Sequence, residues 1–437
     1  MTLSAPHISD KIVIKPIGDL TPYAGNARTH SAKQLGQLSK SIKRFGFTNP
    51  VLIDEAGMIL AGHGRVAAAR SLGWLEVPCV GISSLSTAEK RAYILADNKL
   101  ALNAGWDEEV LAQELRYLVE EEACLDLELT GFSISEIDEV LDIGGTSPAQ
   151  EAEEDNHIPQ GPADAAPVSR AGDVWVLGRH RLICGDALCK ETYARLMGSE
   201  VAQMVFTDPP YNVPIKGHVL GRGSELYREF AMASGEMDPE AFTSFLRTSF
   251  EHLAAFSAEG SIHFVCMDWR HMEEVLSAGR SVYQTLKNLC VWVKDNGGMG
   301  TFYRSRHELV FVFKKGVGSH INSFELGQYG RYRTNVWSYP EVSSGGKEAR
   351  EARALHPTVK PVAMVADALK DCSRPGGVIL DAFGGSGSTL IAAEKTNRHA
   401  RLIEFDAGYC DTIVRRWQVF AHGAAHLEGS GRAFDER

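Results

Sequence analysis

The chain has 437 residues, 44% hydrophobic and 23% charged, with a formal net charge of −11. That length exceeds one ordinary core, so two or three domains are expected, and no apolar run approaches the roughly 18 residues that a membrane span requires. Met1 to Asp10 has neither a basic stretch nor an apolar core, which argues against a secretion signal, and the eight scattered cysteines include no CxxC pair. Reduced thiols, a cytoplasmic location and no zinc site follow as expectations.

The net charge is unevenly placed. Residues 101–165 hold 18 acids against one base, Arg116, so the rest of the chain is net positive. From Arg280 to Lys360, 13 Lys/Arg face 6 Asp/Glu and are interleaved with Tyr283, Trp292, Tyr303, Tyr332 and Trp337. That mixture predicts a phosphate-tracking surface with stacking side chains; an ordinary solvated surface is the alternative.

In chain order, residues 10–85 read as a small α/β domain. Leu35–Phe45 has helical spacing, Val51–Ile53 and Met58–Leu60 are short strands around a Glu55-Ala56-Gly57 turn, Val66–Leu72 is a helix, and Val77–Ile82 a last strand. Residues 86–143 turn helical and acidic, with Leu111, Leu115 and Leu118 as an apolar stripe and Glu120-Glu121-Glu122 as a solvated face. Residues 144–169, rich in Gly, Pro, Ala and acids, read as a flexible linker. From 170 to 437 strands and helices alternate: strands at Met204–Thr207, Ser261–Cys266, Leu309–Phe313, Val378–Leu380 and Ala400–Ile403, and a helix at Leu390–Lys395. The fold class is therefore α/β, a Rossmann-like doubly wound and mostly parallel sheet beside the smaller N-terminal domain. His263 on its apolar strand reads as a satisfied core histidine, and Cys184 and Cys189 as core residues.

Two motifs carry chemistry. Val378–Asp381 runs into Ala382-Phe383-Gly384-Gly385-Ser386-Gly387-Ser388-Thr389 and then a helix, with Glu404 about 20 residues on, where an acid can bind ribose hydroxyls. Alone, this pattern also fits a dinucleotide site. Asp208-Pro209-Pro210-Tyr211 ends a strand, and its prolines leave rigid carbonyls at a sheet's ligand-binding edge. An aromatic amine is a poor nucleophile because its lone pair is delocalised. Acceptors for both N–H hydrogens, the Asp208 carboxylate and the Pro209 carbonyl, would favour the pyramidal amine, and Tyr211 would stack on a flipped base. A plain strand-capping turn is the other account of this tetrapeptide.

With these residues in view, 170–437 resembles the amino-group DNA methyltransferases, in the permuted class whose catalytic tetrapeptide precedes the cofactor loop. Gly172–Trp175 and Leu182–Ala187 are similar to that family's opening segment, and His356-Pro357-Thr358-Val359-Lys360-Pro361 to the segment before its glycine loop. The resemblance implies S-adenosylmethionine as cofactor, held by Asp186, Thr358, Lys360, Asp381, Phe383, Gly385, Gly387 and Glu404. It also implies Asp208, Pro209, Pro210 and Tyr211 as catalytic residues, a target-recognition region within 212–355, and double-stranded DNA as substrate. No metal is needed. A leading Asp implies adenine N6, with cytosine N4 the alternative, in DNA modification or restriction–modification. An RNA or protein methyltransferase would share the cofactor loop.

Residues 10–85 resemble the ParB/sulfiredoxin-like fold through Tyr23–His30, Phe47–Val51 and Gly62-His63-Gly64-Arg65. The sulfiredoxin cysteine is absent from the loop, and Gly64 replaces one of the paired arginines of the partition proteins. The resemblance implies a nucleotide site at Gly62, His63 and Arg65, or a domain that only docks DNA or packs. A partition-type DNA-binding protein is thus a competing function, and the oligomeric state, homodimer included, stays open.

Overall fold

The computed structural model describes residues 12–121, 125–141, 155–159, 166–213, 235–295, 297, 302–323, 333–341 and 359–437. The chain divides into two compact units, Met1–Val140 and Leu141–Arg437. No helix among the described residues is long and apolar enough to cross a membrane.

In the first unit, β1 (Val13–Pro16), β2 (Val51–Ile53), β3 (Ile59–Ala61) and β4 (Glu76–Gly81) form one sheet in the order β1-β4-β2-β3. β2 and β4 are parallel and the two outer pairings antiparallel. Helix α1 (Ala32–Phe45) starts where the Ser31 hydroxyl accepts the Gln34 N–H and stops at Gly46, whose φ is +80°. Helix α2 (His63–Ser71) begins three residues earlier than expected, because Gly62 adopts φ +101° and its carbonyl already accepts the Val66 N–H. Val51, Ile53, Ile59, Val66, Ala69 and Val77 make the core. Helices α3 (Thr87–Leu100), α4 (Glu108–Glu121) and α5 (Ile134–Leu141) follow, and a Ser86/Glu89 capping box opens α3. On α4 the buried stripe is Ala112, Leu115 and Val119, with Leu111 and Leu118 half-buried at its margins. The side chains of Glu120–Glu122 lie outside the described part.

The second unit contains β5 (Val174–Leu177), β6 (His180–Cys184), α6 (Lys190–Met197), β7 (Ala202–Thr207), α7 (Pro239–Ala255), β8 (Ser257–Met267), α8 (Met272–Val282), β9 (Thr285–Val293) and β10 (His307–Lys314). β11 (Val336–Ser338), α9 (Val362–Cys372), β12 (Val378–Asp381), α10 (Ser388–Lys395), β13 (His399–Glu404), α11 (Ala407–Ala421) and β14 (Ala425–Leu427) complete it. Ten strands order as β11-β9-β10-β8-β7-β12-β13-β6-β5-β14. The middle five, β8-β7-β12-β13-β6, are all parallel, while antiparallel β10 and β5 flank them. The central strands are mostly buried because both faces are covered. Met204, Phe206 and Ile379 point into one core, and Val205, Leu380 and Val378 into the other.

Part of the expected linker is docked rather than free. The Asp155 carboxylate accepts from Lys395 at 2.6 Å, its carbonyl accepts from buried Arg416 at 2.9 Å, and Asn156 accepts the Val362 N–H. Further on, Asp411 accepts the N–H groups of Val168 and Ser169 at 2.8 Å. Charge-assisted bonds from helices α10 and α11 hold segments that composition alone marks as linker.

Candidate active site

Parallel strands end their carboxyl termini on one side of a sheet, and this topology gathers acids that are far apart in sequence. Asp208 follows β7, Asp381 ends β12, Glu404 ends β13, and Asp186 follows β6; these four strands are neighbours. The register pairs Val205 with Leu380 and Glu404 with Cys184. The tetrapeptide and the glycine loop therefore lie side by side, at the crevice where open α/β sheets bind ligands.

Asp381 does not present a free carboxylate. One oxygen accepts from Thr207 Oγ1 (3.0 Å) and the Phe383 N–H (3.0 Å), and the other from Thr389 Oγ1 (2.7 Å). It fastens the glycine loop to β7. Burial nonetheless pushes its carboxyl up to about 7, against those three donors. Glu404 accepts the Gly385 N–H and the Asp406 N–H, each at 2.8 Å, and burial likewise raises it to about 7. Gly385 and Gly387 take φ +52° and +84°, and a Cβ on Gly384 would stand 3.0 Å from Ile413 Cδ1. The loop thus needs glycine for backbone shape and for close packing on α11. Phe383 is half-buried, 5.9 Å from the Phe245 ring, and Asp186 accepts the Leu188 N–H at 2.8 Å.

At the tetrapeptide a buried ion network appears. Lys360, 4% exposed, donates to Asp208 Oδ2 at 2.6 Å and to Glu308 Oε2 at 3.1 Å. The Tyr211 hydroxyl lies 2.7 Å from Asp208 Oδ1 and 3.0 Å from Glu308 Oε2, with one proton to share between them. Glu308 Oε1 accepts from Lys294 at 2.6 Å, and Lys294 also reaches Glu341 at 3.2 Å. Burial would raise the Glu308 carboxyl, but Lys360 and Lys294 overcome this and bring it down to about 2. Asp208 goes the other way: burial holds its carboxyl above the usual range despite Lys360, and the Glu308 charge adds to the rise. Lys360 is itself held protonated by the two carboxylates.

This geometry revises several expectations. Lys360, expected among the cofactor-binding residues, bonds the tetrapeptide through its ammonium, while its carbonyl accepts from Ser388 Oγ (2.8 Å) at the start of α10. The Lys360 ammonium covers the Tyr211 ring at 5.2 Å, leaving at most one face for a base. Pro209 is buried and Pro210 half-buried. Thr358 lies outside the described residues, as do 214–234, 296, 298–301, 324–332 (Tyr332 among them) and 342–355 of the recognition region. Of the aromatics expected on a phosphate-tracking surface, Tyr283, Trp292 and Trp337 are buried at 6%, 2% and 5% exposure: strand alternation turns the two tryptophans into the core, and Tyr283, at the end of α8, stacks on Phe313 at 5.0 Å. Tyr303 is 81% exposed, edge-on to Phe302. Cys189 is half-buried, whereas Cys184 is buried. His263 is a satisfied core residue: Ser261 and Tyr283 each lie 3.0 Å from a ring nitrogen, and burial lowers it to about 3.

Sequence reasoning missed Glu308, Lys294 and Asn212. Asn212 has φ +52°, accepts the Gly235 and Met237 N–H groups and donates to the Met237 carbonyl. A lone acid bordering the apolar run Leu309–Phe313 was the available signal for Glu308.

Two motifs of this kind on adjacent strand ends of such a sheet define a DNA amino-methyltransferase that uses S-adenosylmethionine. A DNA methylase family profile matches residues 202–415, a ParB N-terminal domain profile residues 7–99, and a ParB-methyltransferase HTH domain profile residues 109–171. The chain belongs to the N6/N4 DNA methylases, with a ParB-like domain at its N-terminus. The HTH match takes in residues 109–143 of the acidic helical segment and runs on through the expected linker to 171. The chain is 57% identical over 81 residues to the ParB-like nuclease domain-containing protein YnaK of Escherichia coli (strain K12), covering 18% of this chain and 93% of that protein. It is 40% identical over 92 residues to the type II methyltransferase M.ScaI of Streptomyces caespitosus, covering 21% of this chain and 30% of that enzyme. The M1.HpyAVI–SAM complex is similar at a TM-score of 0.40 and 18% identity, over 54% of this chain and 97% of that one.

Proposed function

We propose that the chain methylates N6 of adenine in double-stranded DNA. The observation that carries this reading is Asp208, an acid leading the tetrapeptide at the end of β7, beside the glycine loop. Bound at that loop, S-adenosylmethionine supplies an electrophilic methyl group. Glu404 retains lone pairs beyond its two backbone donors and would take the ribose hydroxyls. Asp186 would lie at the adenine end of the cofactor and Phe383 against it, while Gly385 and Gly387 let the backbone approach. Asp381 would act by holding that loop in shape. Two buried carboxylates raised to about 7, with no cation bonded to either among the described residues, suit a ligand that brings hydroxyls and positive charge.

On the acceptor side, Asp208 would take the amine hydrogens together with the Pro209 carbonyl, Pro210 would stiffen the turn, and Tyr211 would pack its uncovered face on the base. Replacing Asp208 with Ala should abolish methyl transfer to DNA and leave S-adenosylmethionine binding largely intact; methylation by that variant would overturn the assignment. Nucleoside analysis of the methylated DNA separates N6-methyladenine from N4-methylcytosine, and the latter product would refute the adenine reading.

A second reading concerns the N-terminal unit. At the start of α2, Arg65 reaches the Pro50 carbonyl at 3.3 Å while its buried Nε has no partner, and His63 accepts the Tyr23 N–H. We propose a nucleotide phosphate at Gly62, His63 and Arg65. Titration of the full chain with CTP should detect binding that Arg65→Ala removes; the same affinity in that variant would refute the site.

A further inference from the structure

Glu308 has no assigned part in methyl transfer, yet it is the most completely engaged acid near the tetrapeptide. Asp208 and Glu308 are bridged twice, once by the Lys360 ammonium (2.6 and 3.1 Å) and once by the Tyr211 hydroxyl (2.7 and 3.0 Å). Both bridges end on the same Glu308 oxygen, Oε2, and the other oxygen is anchored by Lys294 at 2.6 Å. Every contact Asp208 makes to these donors therefore has an alternative acceptor already in place.

We propose that Glu308 is a positioning residue for methyl transfer, taking the Tyr211 hydroxyl and sharing the Lys360 ammonium while Asp208 receives the target amine. This inference rests on the reading of Asp208 as the amine acceptor. With both Asp208 oxygens bonded to the chain's own donors, an incoming amine must compete for them. The single Tyr211 proton can pass its bond from Asp208 to Glu308 with little movement, which frees Oδ1. As the bond from the amine nitrogen to the methyl group forms, the methyl–sulfur bond of the sulfonium donor would break with its electron pair left on a neutral thioether, and the nitrogen must shed one proton, which Asp208 is placed to take. A second anion nearby keeps Asp208 basic against the pull of Lys360. The ionisable groups around Asp208 are Tyr211 on its own turn, Cys266 on β8, Glu308 on β10, Lys360 before α9 and Asp381 on β12, with Lys294 and Glu341 behind Glu308. Burial raises both Cys266 and Tyr211 well above their ordinary values, so neither is charged at neutral pH.

The test compares Glu308→Gln, Glu308→Asp and Asp208→Ala in the full chain, with kcat against pH, KM for S-adenosylmethionine and melting measured for each. Glu308→Gln should lower kcat on the order of ten- to a hundredfold with the cofactor KM unchanged. Its acid limb should move to lower pH, because removing an anion beside Asp208 makes that acid stronger. Glu308→Asp keeps the charge but withdraws it by one methylene, so it should fold, hold the limb and still lose kcat. An unmoved limb in Glu308→Gln, or wild-type kcat in Glu308→Asp, overturns the proposal while inactive Asp208→Ala leaves the parent reading standing. Should Glu308→Gln not fold, kcat in Glu308→Asp decides alone. Methylation by Asp208→Ala refutes the parent reading and this inference with it.

Discussion

Lys360→Met offers the sharpest test of the buried ion network. Methionine has a similar length and volume, so the change removes a charge without opening a cavity. It leaves Asp208 and Glu308 facing each other across the Tyr211 hydroxyl, with Lys294 as the remaining nearby cation among the described residues. Removing one partner of a buried pair costs about 3–5 kcal/mol, because the charge left behind stays desolvated. Lys360 is 4% exposed and serves two carboxylates, so the upper part of that range is expected at neutral pH. At about 2–4 °C per kcal/mol, the melting of Leu141–Arg437 should fall by roughly 8–20 °C. The pH dependence gives an independent check. Without the ammonium, Asp208 rises further above its unfolded value and takes up a proton on acidification, which removes the uncompensated charge. The gap to wild type should therefore narrow as pH falls, and it can be followed by melting the full chain from pH 8 down to pH 5. A variant melting within a degree of wild type at pH 8, or a gap that widens on acidification, would refute the network as described.

The glycine loop predicts two further outcomes. Gly387→Ala forces a side chain onto φ +84° and to 3.3 Å from Ile413, so it should cost about 1–2 kcal/mol and weaken cofactor binding, read by melting and by isothermal titration. Asp381 and Glu404 bind protons more tightly in the folded state (about 7) than unfolded, so their contribution falls as pH rises from about 4 to about 7. Glu404→Ala should flatten part of that slope in denaturant melts of the ligand-free chain, and an unchanged slope would contradict the raised value.

What the sequence disclosed was local. Asp208-Pro209-Pro210-Tyr211 and the Asp381–Thr389 loop announce themselves by residue type and spacing, and an apolar strand before each shows which end of a sheet they occupy. Three of the four N-terminal strands and the body of α1 were legible for the same reason, while α1 and α2 each start three residues earlier than expected, at the Ser31 cap and at a glycine in the left-handed region. The partners of those motifs were hidden because long-range register sets them. Glu308 becomes a neighbour of Asp208 only through the β8-β10-β9 pairing, in which it faces Trp292 and lies near Lys294. The same register misled the surface reading of Arg280–Lys360. Charges that flank a strand do not reveal which of its alternate side chains turn inward, and Trp292 and Trp337 both do.

Four acids at four neighbouring strand ends could have been equivalent, but the structure gives each a different way of tolerating burial. Asp208 has an ammonium, Asp381 has two hydroxyls and an amide, Glu404 has two amides, and Asp186 has the Leu188 amide. Among the described residues only the first is neutralised by a cation, and that cation is shared with Glu308. The charge deficit therefore lies on the glycine-loop side of the crevice, where a positively charged methyl donor is expected. On the amine side Asp208 and Glu308 are matched by the Lys360 and Lys294 ammonium groups, with Glu341 as a further carboxylate on Lys294. A site paired in this way admits a neutral amine at little electrostatic cost and responds when that amine begins to carry positive charge, since the acid nearest to it is the one held above its ordinary range. The division of labour between the two motifs is thus electrostatic as well as geometric, and Lys360, joined by its carbonyl to α10 and by its ammonium to Asp208, is the residue that connects them.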